Sequence, residues 1–417
     1  MAGGQAGHTG GMSQPSPLTL PILTVAPHRL LFFVGAFNVL AMMLWWTLWL
    51  AAEQGLVPAL PAPSIPAGWA HALMMPLQVL APFMFGFLLT VFPRWMNQAA
   101  FTPWHYLPVG LGIFGGQVLM LVGLFGHPLL IHLGTVFSLA GWISCMVFLA
   151  GVIWRDGGRC LHAVSAFAAL CLGLAAWLLF AAWLHLPGQP LWAFAAIKIA
   201  VFGFALPVYL TVCHRMLPFF ASVVIKDYRV WRPPALLLAL WLAAFAHLLL
   251  ELMHAYPWLW LSDLPLALLT GYTLWRWWPK TLMPGLLRVL LYGFAWLPLS
   301  FALFSIQSLY FLASDRFVLG RAPVHALTIG FFGSLLVAMV TRVTQGHSGR
   351  PLQMNASAWF AFALIQIVAL TRIGAELADS GPLWQVLAGA LWLLAFLPWV
   401  IQSMTIYLSP RADGQPG

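Results

Sequence analysis

The chain has 417 residues, of which 62% carry hydrophobic side chains and only 6% are charged, with 23 tryptophans. Soluble globular domains are about one quarter charged, so this composition excludes a soluble fold and leaves a polytopic membrane protein. The net charge of +9 reflects 18 Lys and Arg against 9 Asp and Glu, and in a membrane protein such an excess belongs in cytoplasmic loops. No basic patch interleaved with aromatic residues is present, which argues against a nucleic-acid partner. Cys145, Cys160, Cys171 and Cys213 form neither Cys-x-x-Cys nor Cys-x-x-Cys-His. That spacing argues against a disulfide framework, a thiolate metal cage and covalently attached haem, and the four read as small apolar packing residues.

Residues 1–20 are rich in Gly, Ser, Gln and Pro and have neither the basic start nor the apolar core of a signal peptide. They read as a disordered cytoplasmic tail, with 21–410 as one transmembrane domain and 411–417 as a short cytoplasmic tail. Apolar runs of spanning length fall at about 29–51, 69–92, 107–125, 129–153, 162–185, 190–213, 235–254, 257–277, 284–312, 323–341, 356–376 and 382–408. The expected fold is therefore all-α, a bundle of about twelve transmembrane helices set in a lipid bilayer.

Loop charges test this count. Arg29, Arg94, Arg155, Arg159, Arg215, Lys226, Arg229, Arg232, Arg276, Lys280, Arg288, Arg342, Arg350 and Arg411 fall on the side of the amino tail. The opposite side holds only Arg316, Arg321 and Arg372, and Lys198 alone falls inside a span. The positive-inside rule then puts both termini in the cytoplasm.

This topology gives each polar residue a depth. His71 opens span 2 and His325 opens span 10, both about one turn inside the outer face, and neutral imidazole is a common ligand of metals, haem iron included. Both begin a His-Ala-Leu triplet, but spans 2 and 10 are eight apart, which does not fit a six-plus-six duplication. Span 10 ends in Arg342, His347 and Arg350, roughly 25 Å from His325 at ~1.5 Å per residue. That distance approaches the hydrocarbon thickness, so the two rims are separate sites. His28 and Arg29, Arg94, and His214 with Arg215 share the inner rim with them. Such a ring is suited to haem propionates or other anions, and equally to ordinary positive-inside anchoring.

Span 7 carries His247, Glu251 and His254 at i, i+4 and i+7, one face of a helix. A carboxylate between two imidazoles is too costly to face lipid. Three readings are open: an interhelical hydrogen-bond cluster, a second metal or proton-transfer site, or an interfacial anchor. Lys198 needs an acidic partner or water, and Glu251 and Asp263 are available. Met74 and Met75 follow His71 at i+3 and i+4, where soft metal ligation competes with simple core filling.

The run from His325-Ala-Leu-Thr-Ile-Gly through Met339-Val-Thr-Arg-Val-Thr-Gln-Gly-His347-Ser-Gly-Arg-Pro-Leu resembles the carboxyl-terminal signature of the NnrS family of bacterial membrane proteins. Pro27-His-Arg-Leu-Leu-Phe-Phe, Gly86-Phe-Leu-Leu-Thr-Val-Phe-Pro-Arg-Trp, Arg215-Met-Leu-Pro-Phe-Phe and Tyr292-Gly-Phe-Ala-Trp-Leu-Pro-Leu extend the resemblance over most of the chain. It implies a multi-pass protein of the bacterial inner membrane that binds haem b, with copper as a further metal, and that is linked to nitric oxide metabolism and nitrosative stress. Nitric oxide or another small ligand is the implied partner, and the sequence identifies no electron donor and no catalytic residue. One departure stands out: the family opens helix 2 with His-Ala-His-Glu-Met, whereas this chain reads His71-Ala-Leu73-Met74-Met75.

Haem-copper oxidases and nitric oxide reductases also have twelve helices with cytoplasmic termini, and hold a haem between histidines of helices 2 and 10. By that analogy His71 and His325 are expected as axial ligands, with His247, Glu251 and His254 as a second metal site and redox chemistry on nitric oxide as the implied activity. The rival classes are a secondary transporter with Lys198, Glu251 and Asp263 as its polar pathway, and a membrane metal or haem sensor.

Overall fold

A computed structural model describes residues 20–186, 188–378 and 381–415, so the tail read over residues 1–20 lies, except for Leu20, outside the described residues. Among them are twelve long helices and no strand: α1 (Pro27–Glu53), α2 (Ala67–Trp95), α3 (Pro103–Gly123), α4 (Pro128–Asp156), α5 (Leu161–His185), α6 (Pro190–Val224), α7 (Pro234–Leu252), α8 (Trp260–Trp277), α9 (Gly285–Ser314), α10 (Ala322–His347), α11 (Ala356–Gly374) and α12 (Gly381–Tyr407). All but α8 are long and apolar enough to cross a membrane. Helix α8 has the length, at 18 residues, but Asp263 and Arg276 lower its hydropathy. Asp263 is nonetheless fully buried, which is how a spanning helix carries a carboxylate.

Helix starts follow local chemistry. Pro27, Pro103, Pro128, Pro190 and Pro234 each open a helix, where a missing N–H costs nothing and a fixed φ favours the first turn. One end differs from expectation in a way that matters. Helix α7 stops at Leu252, and His254 takes the left-handed conformation at φ +54°. The helical i+7 relation therefore does not reach His254, and it leaves the face shared by His247 and Glu251.

The two chain ends meet on one side of the bundle. The Arg29 guanidinium, in the first turn of α1, donates to the carbonyls of Tyr407 at 3.2 Å and Ser409 at 2.6 Å, past the end of α12. Beyond it, Ala412 N–H donates to Ser348 O, and Arg411 bonds both His347 O and Asp413. The short carboxyl tail is thus docked on the connection after α10. Its Asp413 carboxyl is held at about 2, below the usual range, chiefly by the Arg411 hydrogen bond.

Three helices are interrupted by π-helical turns: Met75–Leu80 in α2, Ile199–Ala205 in α6 and Ala326–Gly333 in α10. A π turn displaces carbonyls from the α ladder, and in lipid these need partners. Gln117 Nε2 of α3 donates to Gln78 O, and Tyr209 Oη of α6 donates to Phe332 O at 3.1 Å. Helices 2, 6 and 10 are four apart, so the eight-helix separation of the His-Ala-Leu triplets becomes two steps of a four-helix period. The same helices close on Arg94, Arg215 and Arg342. Arg215 lies 4.3 Å over the Trp95 ring of α2, and Arg342 lies 3.8 Å over the Phe220 ring of α6. Between these helices and Phe32 of α1 lies an apolar cavity of about 60 Å³, walled by Phe83, Tyr209, Cys213 and Met339 among others.

Helices α3 and α4 approach through small residues, as membrane helices do without a hydrophobic drive between them. A Cβ on Gly112 would lie 2.6 Å from Gly141 Cα, backbone against backbone, whereas one on Gly68 would meet nothing. Gly112→Leu is expected to cost about 1–3 kcal/mol by overpacking and to lower the thermal unfolding midpoint in detergent. Gly68→Ala is expected to leave that midpoint in place.

Candidate functional site

Three polar groupings lie in the bundle. The outer one joins α2 and α10. The His71 ring stacks on Trp46 of α1, with centroids 4.5 Å apart and planes 10° from parallel, and its buried Nδ1 has no hydrogen-bond partner. His325 is one turn beyond Arg321, and its Nδ1 lies 2.8 Å from the Arg321 carbonyl. A carbonyl can only accept, so Nδ1 carries the proton and Nε2 keeps its lone pair, the tautomer in which imidazole ligates a metal. The two imidazoles lie within charge–charge range of each other, and both feel Arg321 and Arg372. Each precedes a π turn: Met75 begins four residues after His71, and Ala326 directly follows His325.

The inner grouping brings His28 of α1 against His347 of α10, with ring centroids 4.4 Å apart and the Thr90 hydroxyl 3.5 Å from His28 Nδ1. Arg94 and Arg411 are in charge range of His347. The arginines read as an anion ring are divided among other tasks. Arg29 caps the end of α12, Arg215 lies over the Trp95 ring and Arg342 over the Phe220 ring, whereas Arg350 has a buried Nη1 that lacks a partner. Another imidazole pair, His162 and His214, is joined by a 2.9 Å Nε2 to Nδ1 hydrogen bond, with His214 Nε2 also bonded to the Pro233 carbonyl at 3.1 Å.

The third grouping joins α6, α7 and α8. Lys198 Nζ lies 2.8 Å from Glu251 Oε2, and His247 Nδ1 lies 2.6 Å from Asp263 Oδ1. His254 is elsewhere, stacked on Phe194 and 2.9 Å from the Tyr256 hydroxyl. Among the described residues no group of three or more His, Cys, Asp or Glu could hold a metal ion. The expected triad of His247, Glu251 and His254 is therefore not assembled as a metal centre: the end of α7 carries His254 away, Asp263 takes His247, and Lys198 takes Glu251. Beside this cluster opens a cavity of about 450 Å³, lined by Lys198, Glu251, Tyr256, Gln307 and Arg321 among others. Burial and then the Glu251 charge raise the Tyr256 phenol above its ordinary value.

The sequence profile of the NnrS family, described as NnrS protein, matches residues 22–411. The chain belongs to the NnrS family. No curated protein matches it. Leu73 and Met74, where the chain departs from the helix 2 pattern that it otherwise resembles, are each only 1% exposed and sit in the hydrophobic core. Helix α2 thus offers His71 alone at the outer face, and Met74 acts as core filling. Partnerships such as His247 with Asp263 and His28 with His347 cross between helices, where periodicity within one span gives no signal. The π turns had a faint one, the Pro76, Gly203, Gly330 and Gly333 that break up otherwise smooth apolar runs.

Two uses of Arg29 can be separated. As a cap on α12, its replacement by Gln removes two charge-assisted hydrogen bonds, each worth about 1.5–3 kcal/mol at most. The carboxyl end should then become sensitive to limited proteolysis while any bound pigment stays unchanged. Loss of pigment with an intact carboxyl end would instead make Arg29 a cofactor residue.

Proposed function

We propose that this NnrS protein is a haem-binding membrane protein of the nitric oxide response, with His71 and His325 as axial ligands of a b-type haem near the outer face. The observation that carries the reading is the outer pair of imidazoles. They come from two enclosed helices: Nδ1 of His71 is buried without a hydrogen-bond partner, and the Arg321 carbonyl bonded to Nδ1 of His325 leaves the Nε2 lone pair as its donor. Histidine is a standard axial ligand of haem iron, and the donor chemistry fits that group. The Arg321 carbonyl orients His325, and Trp46 packs against the face of His71. Arg321 supplies positive charge for propionates on the same side, Arg372 being paired with Glu376, a role the inner-rim arginines are too distant to fill. Held by His71 and His325, such a haem would supply electron transfer.

Copper is assigned to the inner rim, where His28 and His347 offer two imidazoles in contact. The apolar cavity between α2, α6 and α10 suits a small uncharged molecule such as nitric oxide. This reading sets the chemistry in a bacterial inner membrane, and NnrS membership and the apolar spans support it.

Purified full-length protein is expected to show a Soret band, and either His71→Ala or His325→Ala should remove most of it. His347→Ala should leave the band and reduce copper content. An unchanged Soret absorbance in both outer variants would sink the assignment.

A further inference from the structure

The cluster on α6, α7 and α8 is separate from the outer histidine pair. His247 and Asp263 are both fully buried, 2.6 Å apart, and the Ser262 hydroxyl, 3.1 Å from the same carboxylate oxygen, shares its one proton between it and the Leu259 carbonyl at 2.9 Å. Because Nδ1 faces Asp263, the other nitrogen, Nε2, points along α7 toward Glu251 Oε1 at 3.8 Å, and it has no hydrogen-bond partner. Asp263 Oδ2 likewise is buried without a partner. The remaining walls around the imidazole are the rings of Phe202 of α6 and of Phe301 and Phe304 of α9. An imidazole fixed by a carboxylate on one nitrogen and free on the other is built to hold or pass a proton.

Charge balance points the same way. Lys198 matches Glu251, which leaves Asp263 as an uncompensated carboxylate among aromatic rings unless His247 carries a second proton. The cavity of about 450 Å³ reaches Lys198 and Glu251 but is not lined by His247 or Asp263. The charged and titratable groups around the path are therefore Lys198, Glu251 and Asp263, with Arg321 across the cavity and Tyr256 and His254, bonded to each other, nearby.

We propose that His247 and Asp263 form a proton-binding dyad inside the membrane that exchanges its proton with the outer aqueous face through Glu251, while Lys198 holds Glu251 between transfers. In release, the Nε2–H bond of the His247 imidazolium breaks, its electron pair stays on Nε2, and the proton forms an O–H bond at Glu251 Oε1. The 3.8 Å gap is closed by rotation of Glu251 or by one bridging water. Glu251 turns from Lys198, gives the proton to water in the cavity and returns to Lys198 as a carboxylate. Uptake is the reverse. The dyad requires no haem, so it stands or falls apart from the outer histidine pair.

The test is infrared difference spectroscopy on the purified full-length protein after a jump between mildly acidic and mildly alkaline buffer. The spectrum of wild type should contain imidazolium-to-imidazole bands that His247→Gln removes and His254→Gln keeps. Glu251→Gln should keep those bands and slow their appearance by about a hundredfold, as expected for loss of a proton-transfer group. A difference spectrum unchanged by His247→Gln, or a rate unchanged by Glu251→Gln, overturns the proposal. If a variant does not fold, wild type decides: with ¹⁵N-labelled histidine, solid-state NMR should show one carboxylate-bonded imidazole whose Nε2 changes protonation between the two buffers. Absence of any such imidazole overturns it equally.

Discussion

A polar group between the two faces of a membrane has no water to fall back on, and this constraint organises the protein. With 6% charged residues the chain carries few such groups, and those inside the spans find partners in the protein or mark a site. Lys198 pairs with Glu251, Asp263 with His247, and Arg372 with Glu376 one turn away. The same rule covers the backbone. Where α2 and α10 widen into π turns, Gln117 and Tyr209 reach in from α3 and α6 to the displaced carbonyls. Groups that stay unpaired under this pressure, such as His71 Nδ1 and His247 Nε2, stand out for that reason.

The three π turns connect packing to chemistry. Each lies just after a histidine or lysine that the surrounding structure treats as special: His71, Lys198 and His325. A π turn re-aims the side chains on either side of it, so an apolar helix can present one polar group at a chosen angle without a break. Their recurrence in α2, α6 and α10, the helices around the central cavity, gives the bundle a four-helix rhythm. At the inner end this rhythm is repeated by Arg215 on Trp95 and Arg342 on Phe220.

Much of this was legible in the sequence, and the limits have physical causes. Apolar run length and loop charge are properties of one segment at a time, and they yielded the twelve helices and the common side of the termini, which Arg29 joins directly in the structure. The place of His71 and His325 about one turn into their helices followed from the same properties. Helical periodicity joined His254 to His247 and Glu251 because it assumes that the helix continues, whereas α7 ends at Leu252. Asp263 was within sight as a partner for Lys198 but pairs with His247, a choice made by the packing of α7 on α8. The inner rim shows the same limit: Arg29, Arg342 and Arg350 are alike as cations, and only packing reveals that one caps a helix and another lies on an aromatic ring.

In the proposed haem site the outer pair of imidazoles shares one iron. Low-temperature electron paramagnetic resonance of the oxidised, purified protein tests it directly, because the spin state of ferric haem reports both axial ligands. Ligation by His71 and His325 predicts a low-spin ferric signal of the bis-imidazole type that turns high-spin when either is replaced. A high-spin signal in the unaltered protein, or a low-spin signal indifferent to both replacements, would contradict it.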